Sequence, residues 1–127
     1  MTKTFNIELW DKLKSDFLGG KVFFGLAPDS TAAPYCVIHV LDSGRDEMSK
    51  TLCSSIGTAE IQFNVYGFND MQIDELLLAL NTLLETYDNL ATYRIINAVR
   101  GVTKLASSFS AEVGIGISRY EFKYESL

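Results

Sequence analysis

Residues 58–80 read TAEIQFNVYGFNDMQIDELLLAL, and their hydrophobic period changes halfway along. Up to Tyr66, apolar and polar side chains alternate, as in a strand with one face on a core. After Gly67, the apolar residues recur every three or four positions, as on one side of a helix. Asn69 suits the N-cap of that helix, and Gln72 can reach back to the Asn69 backbone. The stretch therefore predicts a strand, a turn and a helix that covers one face of a sheet.

The apolar residues of this stretch fall into two sets. Ile61, Phe63 and Val65 form the inward face of the predicted strand. The helix carries a broad apolar stripe of Ile73, Leu76, Leu77, Leu80, Leu83, Leu84 and Tyr87. The acidic residues near the helix start, Asp70, Asp74 and Glu75, suit the positive end of the helix dipole.

A second amphipathic helix is predicted near the N-terminus. Apolar side chains recur at helical intervals between residues 6 and 18: Ile7, Trp10, Leu13 and Phe17. Glu8 falls on the opposite, polar side of this helix. Gly19 and Gly20 are expected to end it, because glycine accepts the left-handed conformation that follows many helices.

Two strands and a polar segment follow this helix. Residues 21–26, KVFFGL, predict a short strand. Residues 35–42, YCVIHVLD, are apolar on both faces and predict a central strand that is covered on both sides. Residues 42–58, DSGRDEMSKTLCSSIGT, are polar and have no period, so they predict a long loop or a protruding hairpin.

The C-terminal part completes the sheet. Residues 91–106 predict a strand broken near Gly101, and residues 115–126 predict a final strand. The apolar side chains of the final strand change faces halfway, with Ile115 and Ile117 on one face and Tyr120, Phe122 and Tyr124 on the other. We therefore predict a bulge near Ser118, and we interpret the three aromatic residues as core. The predicted fold is α+β, a mainly antiparallel sheet of about four or five strands with two amphipathic helices packed on it.

Length and charge narrow the class of protein. The 127 residues predict a single domain, residues 1–127, with fifteen aromatic residues to build one core. The net charge of −5, with scattered basic residues, argues against a protein that grips nucleic acid. No apolar run approaches the roughly 20 residues that span a bilayer, and MTKTFNIELW lacks the order of a signal peptide. We expect a soluble protein made in the cytoplasm.

Catalytic patterns are weak in this sequence. His39 is the only histidine, and we predict a core or half-buried side chain. Cys36 lies three residues earlier, on the opposite face of the strand, so the two cannot form a ligand pair. We expect no disulfide between Cys36 and Cys53. The sequence GIGIS at 114–118 lacks the third glycine and the following helix of a dinucleotide site. We therefore predict no catalytic, cofactor-binding or metal-binding residues, and no enzyme.

Five segments carry a family resemblance. They are the helix around Trp10 and Leu13, GGKVFFGLAP at 19–28, PYCVIHV at 34–40, EIQFNVYG at 60–67 before a leucine-rich helix, and YEFKY at 120–124. Together they resemble the tail-completion, or tail-terminator, family of long-tailed bacteriophages over nearly the whole chain. That family often has basic residues before its third strand, where this chain has Thr58, Ala59 and Glu60.

The resemblance implies a structural virion protein. It implies a ring of identical subunits, commonly a hexamer, that caps the finished tail tube at the head–tail interface after assembly in the host cytoplasm. The implied partners are further copies of the chain, the tail-tube protein and the head-side connector protein. DNA would only pass through the lumen, where exposed acids suit passage without sticking, and no membrane contact is implied.

We predict that the segment 42–58 contacts a neighbouring subunit or the tail tube. Open sheets must cover or pair their edges, and a head-to-tail contact that closes makes a ring. The interface candidates are Arg45, Asp46, Glu47, Met48, Lys50 and Leu52. Deletion of residues 44–54 is expected to abolish assembly and leave a folded monomer.

Two alternatives stay open at this point. The chain could be another head–tail connector or a tail-tube component with a similar α+β core. In a different class, it could be a small-ligand-binding domain or enzyme, which would need an apolar pocket with convergent polar groups around His39.

Overall fold

In the described residues, two α-helices and five strands follow one another in the predicted order, with a short 3-10 helix, Leu18–Gly20, after the first. The computed structural model describes residues 4–28, 31–45, 56–106 and 114–126. The helices are α1, Phe5–Asp16, and α2, Asp70–Thr86. The strands are β1, Val22–Phe24; β2, Tyr35–Arg45; β3, Gly57–Gly67; β4, Tyr93–Ala106; and β5, Gly114–Ser126. The α+β prediction is confirmed.

The strands form one sheet in the order β1-β2-β3-β5-β4. β1 runs parallel to β2, and every other neighbouring pair is antiparallel. β2 and β3 pair as far as Arg45 and Gly57. Of the two structures left open for residues 42–58, the described residues therefore form the hairpin, with 46–56 as its connection.

Both helices pack on the same face of the sheet, and the core lies between them and the strands. The predicted inward residues Ile61, Phe63 and Val65 have no exposed surface. The aromatic residues Tyr120 and Phe122 are also buried, which confirms their interpretation as core. The predicted α2 stripe is confirmed, with these members fully buried or nearly so: Ile73, Leu77, Leu80 and Leu84.

The start of α2 follows the predicted capping pattern with one difference. The Asn69 side-chain oxygen accepts a hydrogen bond from the Gln72 N–H at 2.8 Å. The Gln72 side-chain oxygen accepts from the N–H of Phe68 at 2.7 Å, one residue earlier than predicted. The two bonds together fix the direction in which the chain leaves β3 and enters α2.

The predicted bulge near Ser118 is wrong. β5 pairs with β3 in unbroken register from Gly114 to Tyr124. Ile115 and Ile117 lie on the face away from the helices, while Gly116 and Ser118 face α2. The first half of β5 carries small inward residues because α2 lies too close for large ones. The register shifts lie in other strands: one in β2 between Val40 and Asp42, and two in β4. The second shift in β4, between Arg100 and Thr103, falls at the predicted break near Gly101.

Two predictions about burial need correction. Glu8 is buried rather than solvent-facing, because it accepts hydrogen bonds from the Thr92 N–H, at 2.8 Å, and from the Thr92 hydroxyl. β2 is an interior strand, but both described helices lie on one side of it. On the other side Val37 is buried by its neighbours, while Tyr35 and His39 are half-buried. The prediction of a half-buried His39 is thus confirmed.

Candidate assembly surface

The two edges of the sheet differ in how far they are protected. β1 is three residues long, and the Trp10 indole N–H donates to its outward carbonyl, Val22 O, at 2.9 Å. β4 is fourteen residues long, and only its start is covered, by hydrogen bonds from Leu90 N to Tyr93 O and from Ile95 N to Asp88 O. Within the described parts of the chain, nothing pairs with the outer edge of β4 beyond that point. An unpaired strand of this length is a site for contact with another chain.

The sheet face away from the helices, here called the open face, is largely polar. It carries Tyr35, Val37, His39, Asp42, Thr58, Glu60, Gln62, Asn64, Tyr66, Ile115, Ile117, Arg119, Glu121 and Lys123. Its centre is hydrogen-bonded: Arg119 Nε donates to Gln62 Oε1 at 2.9 Å, and Gln62 Nε2 donates to Asn64 Oδ1 at 2.8 Å. An ordered polar face of this kind suits either solvent or a wet protein interface.

Three carboxylates form a row across the open face. Asp42 pairs with Glu60 across β2 and β3, and Glu60 pairs with Glu121 across β3 and β5. Like charges directly opposite one another weaken a sheet by a fraction of a kcal/mol, roughly 0.2–1 per pair. On β5 the row is flanked by Arg119 and Lys123 of the same face, so the open face carries charges of both signs.

Exposed apolar residues lie on and just before α2, and we call them the helix patch: Met71 and Leu78 on the outer side of the helix, and Phe68 in the turn that precedes it. Their exposed fractions are 75%, 69% and 58% respectively. Met71 and Leu78 are seven residues apart, so they lie on the same side of the helix. None of these three residues was predicted as part of an interface. The run of three leucines at 76–78 was the available signal, since three consecutive helical residues cannot all face one core.

β4 carries a second exposed group, the strand patch, made of Ile96 and Val99. They are 44% and 52% exposed. Ile96 is the additional residue at the first register shift of β4, and Val99 lies opposite Glu121 in the register of the open face. Arg94 and Arg100 flank the two apolar residues and form ion pairs with Glu125 and Glu85 respectively.

Most of the predicted interface candidates lie outside the described residues. Arg45 is the last residue of β2 and pairs with Gly57. Asp46, Glu47, Met48, Lys50 and Leu52 fall in the range that the structure does not describe. The hairpin base that presents them is held by aromatic packing, because Tyr124 lies against Gly57 and its ring stacks on Phe5 at 4.0 Å.

The surroundings of His39 consist of a cavity and ring contacts, with no metal site among the described residues. His39 lines a shallow cavity of about 320 Å³ on the open face, together with Tyr35, Tyr66 and Thr31. The Tyr35 and Tyr66 rings stack with centroids 4.5 Å apart. Cys36 points to the opposite face, where burial raises the pKa of its thiol. Among the described residues, no three His, Cys, Asp or Glu side chains come together as a metal site.

A buried polar network joins α2 to β5. The Ser118 and Tyr120 hydroxyls both donate to Asn81 Oδ1, at 2.8 and 3.1 Å. Burial, and then the nearby Glu85 carboxylate, raise the pKa of the Tyr120 hydroxyl to about 12. Tyr120 is therefore a neutral donor at physiological pH, and the network fixes the position of the helix rather than offering a reactive group.

In the part of the chain that the structure describes, neither helix has the length and apolar character needed to cross a bilayer. The sequence matches no protein-family profile and no curated protein sequence. Its fold is similar to that of a chain in a solved structure described as the virion of a native gene transfer agent (GTA) particle. The two share 12% identity with a TM-score of 0.58, over 94% of this chain and 90% of that chain. At this identity the similarity shows a shared fold.

Proposed function

We propose that the chain is a structural virion protein, a single domain that forms a ring on the end of a phage tail tube and joins it to the head-side connector. The observation that carries this proposal is the shared fold with a chain of a GTA virion over nine-tenths of both chains. The resemblance of its segments to tail terminators supports the finer role. A ring of six copies is the number that this resemblance favours.

The charge of the open face supports passage of DNA through such a ring. DNA is held by Lys and Arg that neutralise its phosphates. The open face has no cluster of basic residues: Asp42, Glu60 and Glu121 lie in a row, and Arg119 and Lys123 are separated by Glu121. We place this face toward the lumen, where charges of both signs offer DNA no basic surface to adhere to.

The hairpin connection is the proposed contact with the tail tube or a neighbouring subunit. The two residues between which it runs are anchored in the sheet, because Arg45 pairs with Gly57 and Gly57 pairs with Tyr124 of β5. The candidates Arg45, Asp46, Glu47, Met48, Lys50 and Leu52 offer both charges and two apolar side chains for such a contact.

Electron microscopy with tail tubes from the same source tests the proposal. Purified protein added to tubes that lack a cap is expected to appear as a ring at one end only and to stop further growth. Polymerisation into tubes would instead identify a tube component, and binding to isolated heads but not to tubes would identify a connector. His39→Ala serves as a control: it is expected to cap as the wild type does, whereas loss of capping with an intact fold would favour a ligand-dependent function.

A further inference from the structure

We propose that the cleft between the C-terminal end of α2 and the uncovered edge of β4 binds an extended, basic segment of another protein, which adds to the sheet as a strand. The cleft has a volume of about 500 Å³, and it is lined by residues 85–88 at the end of α2 and residues 95–98 of β4. The proposed function uses the open face and the connection between β2 and β3. This site therefore goes beyond that function and does not depend on it.

The edge of β4 at this cleft offers backbone groups that point away from the sheet. Ile95 N donates to Asp88 O at 2.7 Å, so the backbone of Ile95 points outward and not toward β5. Ile96 is the additional residue at the first register shift, so the outward positions change from odd to even numbers after it. Ala98 and Arg100 then present N–H and C=O groups outward, and no turn or loop among the described residues bonds to them. An extended chain is the natural partner of such groups.

The segment of β4 beyond Ile96 is regular and leaves room for a side chain. Residues 97–100 pair with residues 120–123 of β5 in continuous register before the second shift. Ala98 lies opposite the buried Phe122, so its methyl group points to the helix side and lines the cleft. Side chains that lie next to each other on neighbouring strands share a face of the sheet. A strand added here would therefore place the side chain beside Ala98 in the cleft, against the end of α2.

The end of α2 beside the cleft is negative. The last carbonyls of a helix form the negative end of its dipole, where a basic side chain is favourable. The last turn of α1 has such a residue, Lys14, whereas the last turn of α2 has no basic residue. Glu85 and Asp88, both exposed, add two carboxylates to this end of α2.

The charges of the chain itself do not balance this negative end. Arg100 Nη1 lies 3.9 Å from Glu85 Oε1, which is too far for a hydrogen bond, and both side chains are nearly half exposed. The Tyr120 hydroxyl donates to the same Glu85 oxygen at 3.4 Å. The Asp88 carboxylate has no hydrogen bond or ion pair with any residue that the structure describes. One distant cation thus faces two carboxylates and a helix end.

These features determine the chemistry of the bound segment. Main-chain hydrogen bonds hold an added strand whatever its sequence, and its alternate side chains give specificity. The side chain beside Ala98 is a lysine or an arginine, whose aliphatic stem lies in the cleft while its charge reaches Glu85 and Asp88. An acidic side chain in the same place would meet like charges, which excludes acidic segments.

Fluorescence anisotropy with labelled peptides tests the inference. The probe is acetyl-Val-Lys-Val-Lys-Val-Thr-amide. One matched peptide has glutamate in place of both lysines, and another has proline in place of the central valine, which keeps the charge but disfavours pairing as a strand. Glu85→Gln with Asp88→Asn neutralises the cleft. Asp74→Asn with Glu75→Gln is the control, because it removes the same charge from exposed positions nearer the start of α2. Hydrogen exchange measured by mass spectrometry locates the bound peptide.

The wild type is expected to bind the lysine peptide at least about tenfold more tightly than the glutamate or proline peptide. Bound peptide should slow hydrogen exchange in fragments that cover residues 97–101. Neutralising the cleft should weaken binding of the lysine peptide by roughly fivefold to tenfold, and the control substitutions should change it by less than about twofold. All four substituted side chains are exposed, so we expect both variants to keep the melting temperature of the wild type.

Several results would overturn the inference. They are absence of binding up to about 1 mM lysine peptide, equal affinity for the lysine and glutamate peptides, and equal losses in the two variants. Exchange at residues 97–101 that slows as the concentration of the protein alone is raised would show that a second copy covers the edge, which also overturns it.

Discussion

Gly116 controls how closely α2 can lie on the sheet. A Cβ atom at this position would be 2.5 Å from Ile73 Cγ2 and 2.8 Å from Leu77 Cδ1. Both partners are buried branched side chains with little room to move. Small inward residues in the first half of β5 are therefore a packing requirement of the helix above them.

Replacement of Gly116 by valine is expected to lower the free energy of unfolding by about 1–3 kcal/mol, because overpacking forces side chains or backbone to shift. Urea denaturation gives the measurement. Gly101→Ala is the matched control, since its new methyl group would meet only Arg119 O, at 3.9 Å, and we expect a change within about 0.5 kcal/mol. Equal effects of the two substitutions would show that α2 does not lie where the structure places it.

The hydrogen bond between Tyr87 and Asp16 makes part of the stability depend on pH. Tyr87 donates to Asp16 Oδ2 at 2.7 Å, and this bond is the main reason that the pKa of Asp16 is lowered. Burial, followed by this bond, raises the pKa of Tyr87. Because the pKa of Asp16 is lowered in the folded state, the bond stabilises the fold at pH values above the unfolded pKa of 3.8. This stabilisation is lost as the pH falls through the pKa of the folded state. Because the pKa of Tyr87 is raised, the bond also stabilises the fold at pH values below the unfolded pKa of 10.0. That stabilisation is lost as the pH rises through the pKa of the folded state.

Tyr87→Phe is therefore expected to lower the free energy of unfolding near pH 7 by less than about 1 kcal/mol, since Asp16 is close to solvent. The difference in the free energy of unfolding between the variant and the wild type should shrink as the pH falls and Asp16 becomes protonated. Urea denaturation at pH 7 and in acid measures it. Tyr35→Phe, on the other side of the sheet, is the control and should show no such change in acid. A Tyr87→Phe difference that stays constant into acid would contradict the linkage.

At the scale of elements, the hydrophobic period predicts whether a segment is a helix or a strand better than it predicts the contacts of single side chains. The alternation at 61–65 and the stripe from Ile73 predicted β3 and α2 because one strong core decides both patterns. The burial of Glu8 was not predicted, because its hydrogen bonds come from a turn more than eighty residues later in the chain. The exposure of Leu78 was not predicted for a related reason. A leucine exposed on one copy and a leucine in the core have the same sequence signal.

The hairpin of β2 and β3 offers a test of the segment between them. The deletion predicted from sequence, residues 44–54, would remove two residues that belong to β2, Gly44 and Arg45. Replacement of residues 46–56 by Asn-Gly is better matched, because it leaves a two-residue loop between the paired residues Arg45 and Gly57, and that dipeptide favours such tight turns. We expect a melting temperature near that of the wild type and loss of tube capping. Electron microscopy and thermal denaturation supply the two readouts.

A second variant replaces the same segment by glycine and serine at its wild-type length. It separates the effect of the side chains from the effect of the length of the segment. If the side chains of Asp46, Glu47, Met48, Lys50 and Leu52 make the contact, this variant should also fail to cap tubes. Capping by the Asn-Gly variant would remove the segment from the interface altogether. Unfolding of both variants would mean that the segment stabilises the monomer, contrary to the proposal.

At the scale of the whole molecule, fold class could be predicted while strand order could not. Two helices flanking consecutive strands predict an α+β sheet from local patterns alone. The placement of β5 between β3 and β4 depends on which strand best fits beneath α2, as the small residues Gly116 and Ser118 show. The candidate assembly surface is harder to predict than the fold class. The edges and the open face of the sheet can be identified only when the order of the strands is known.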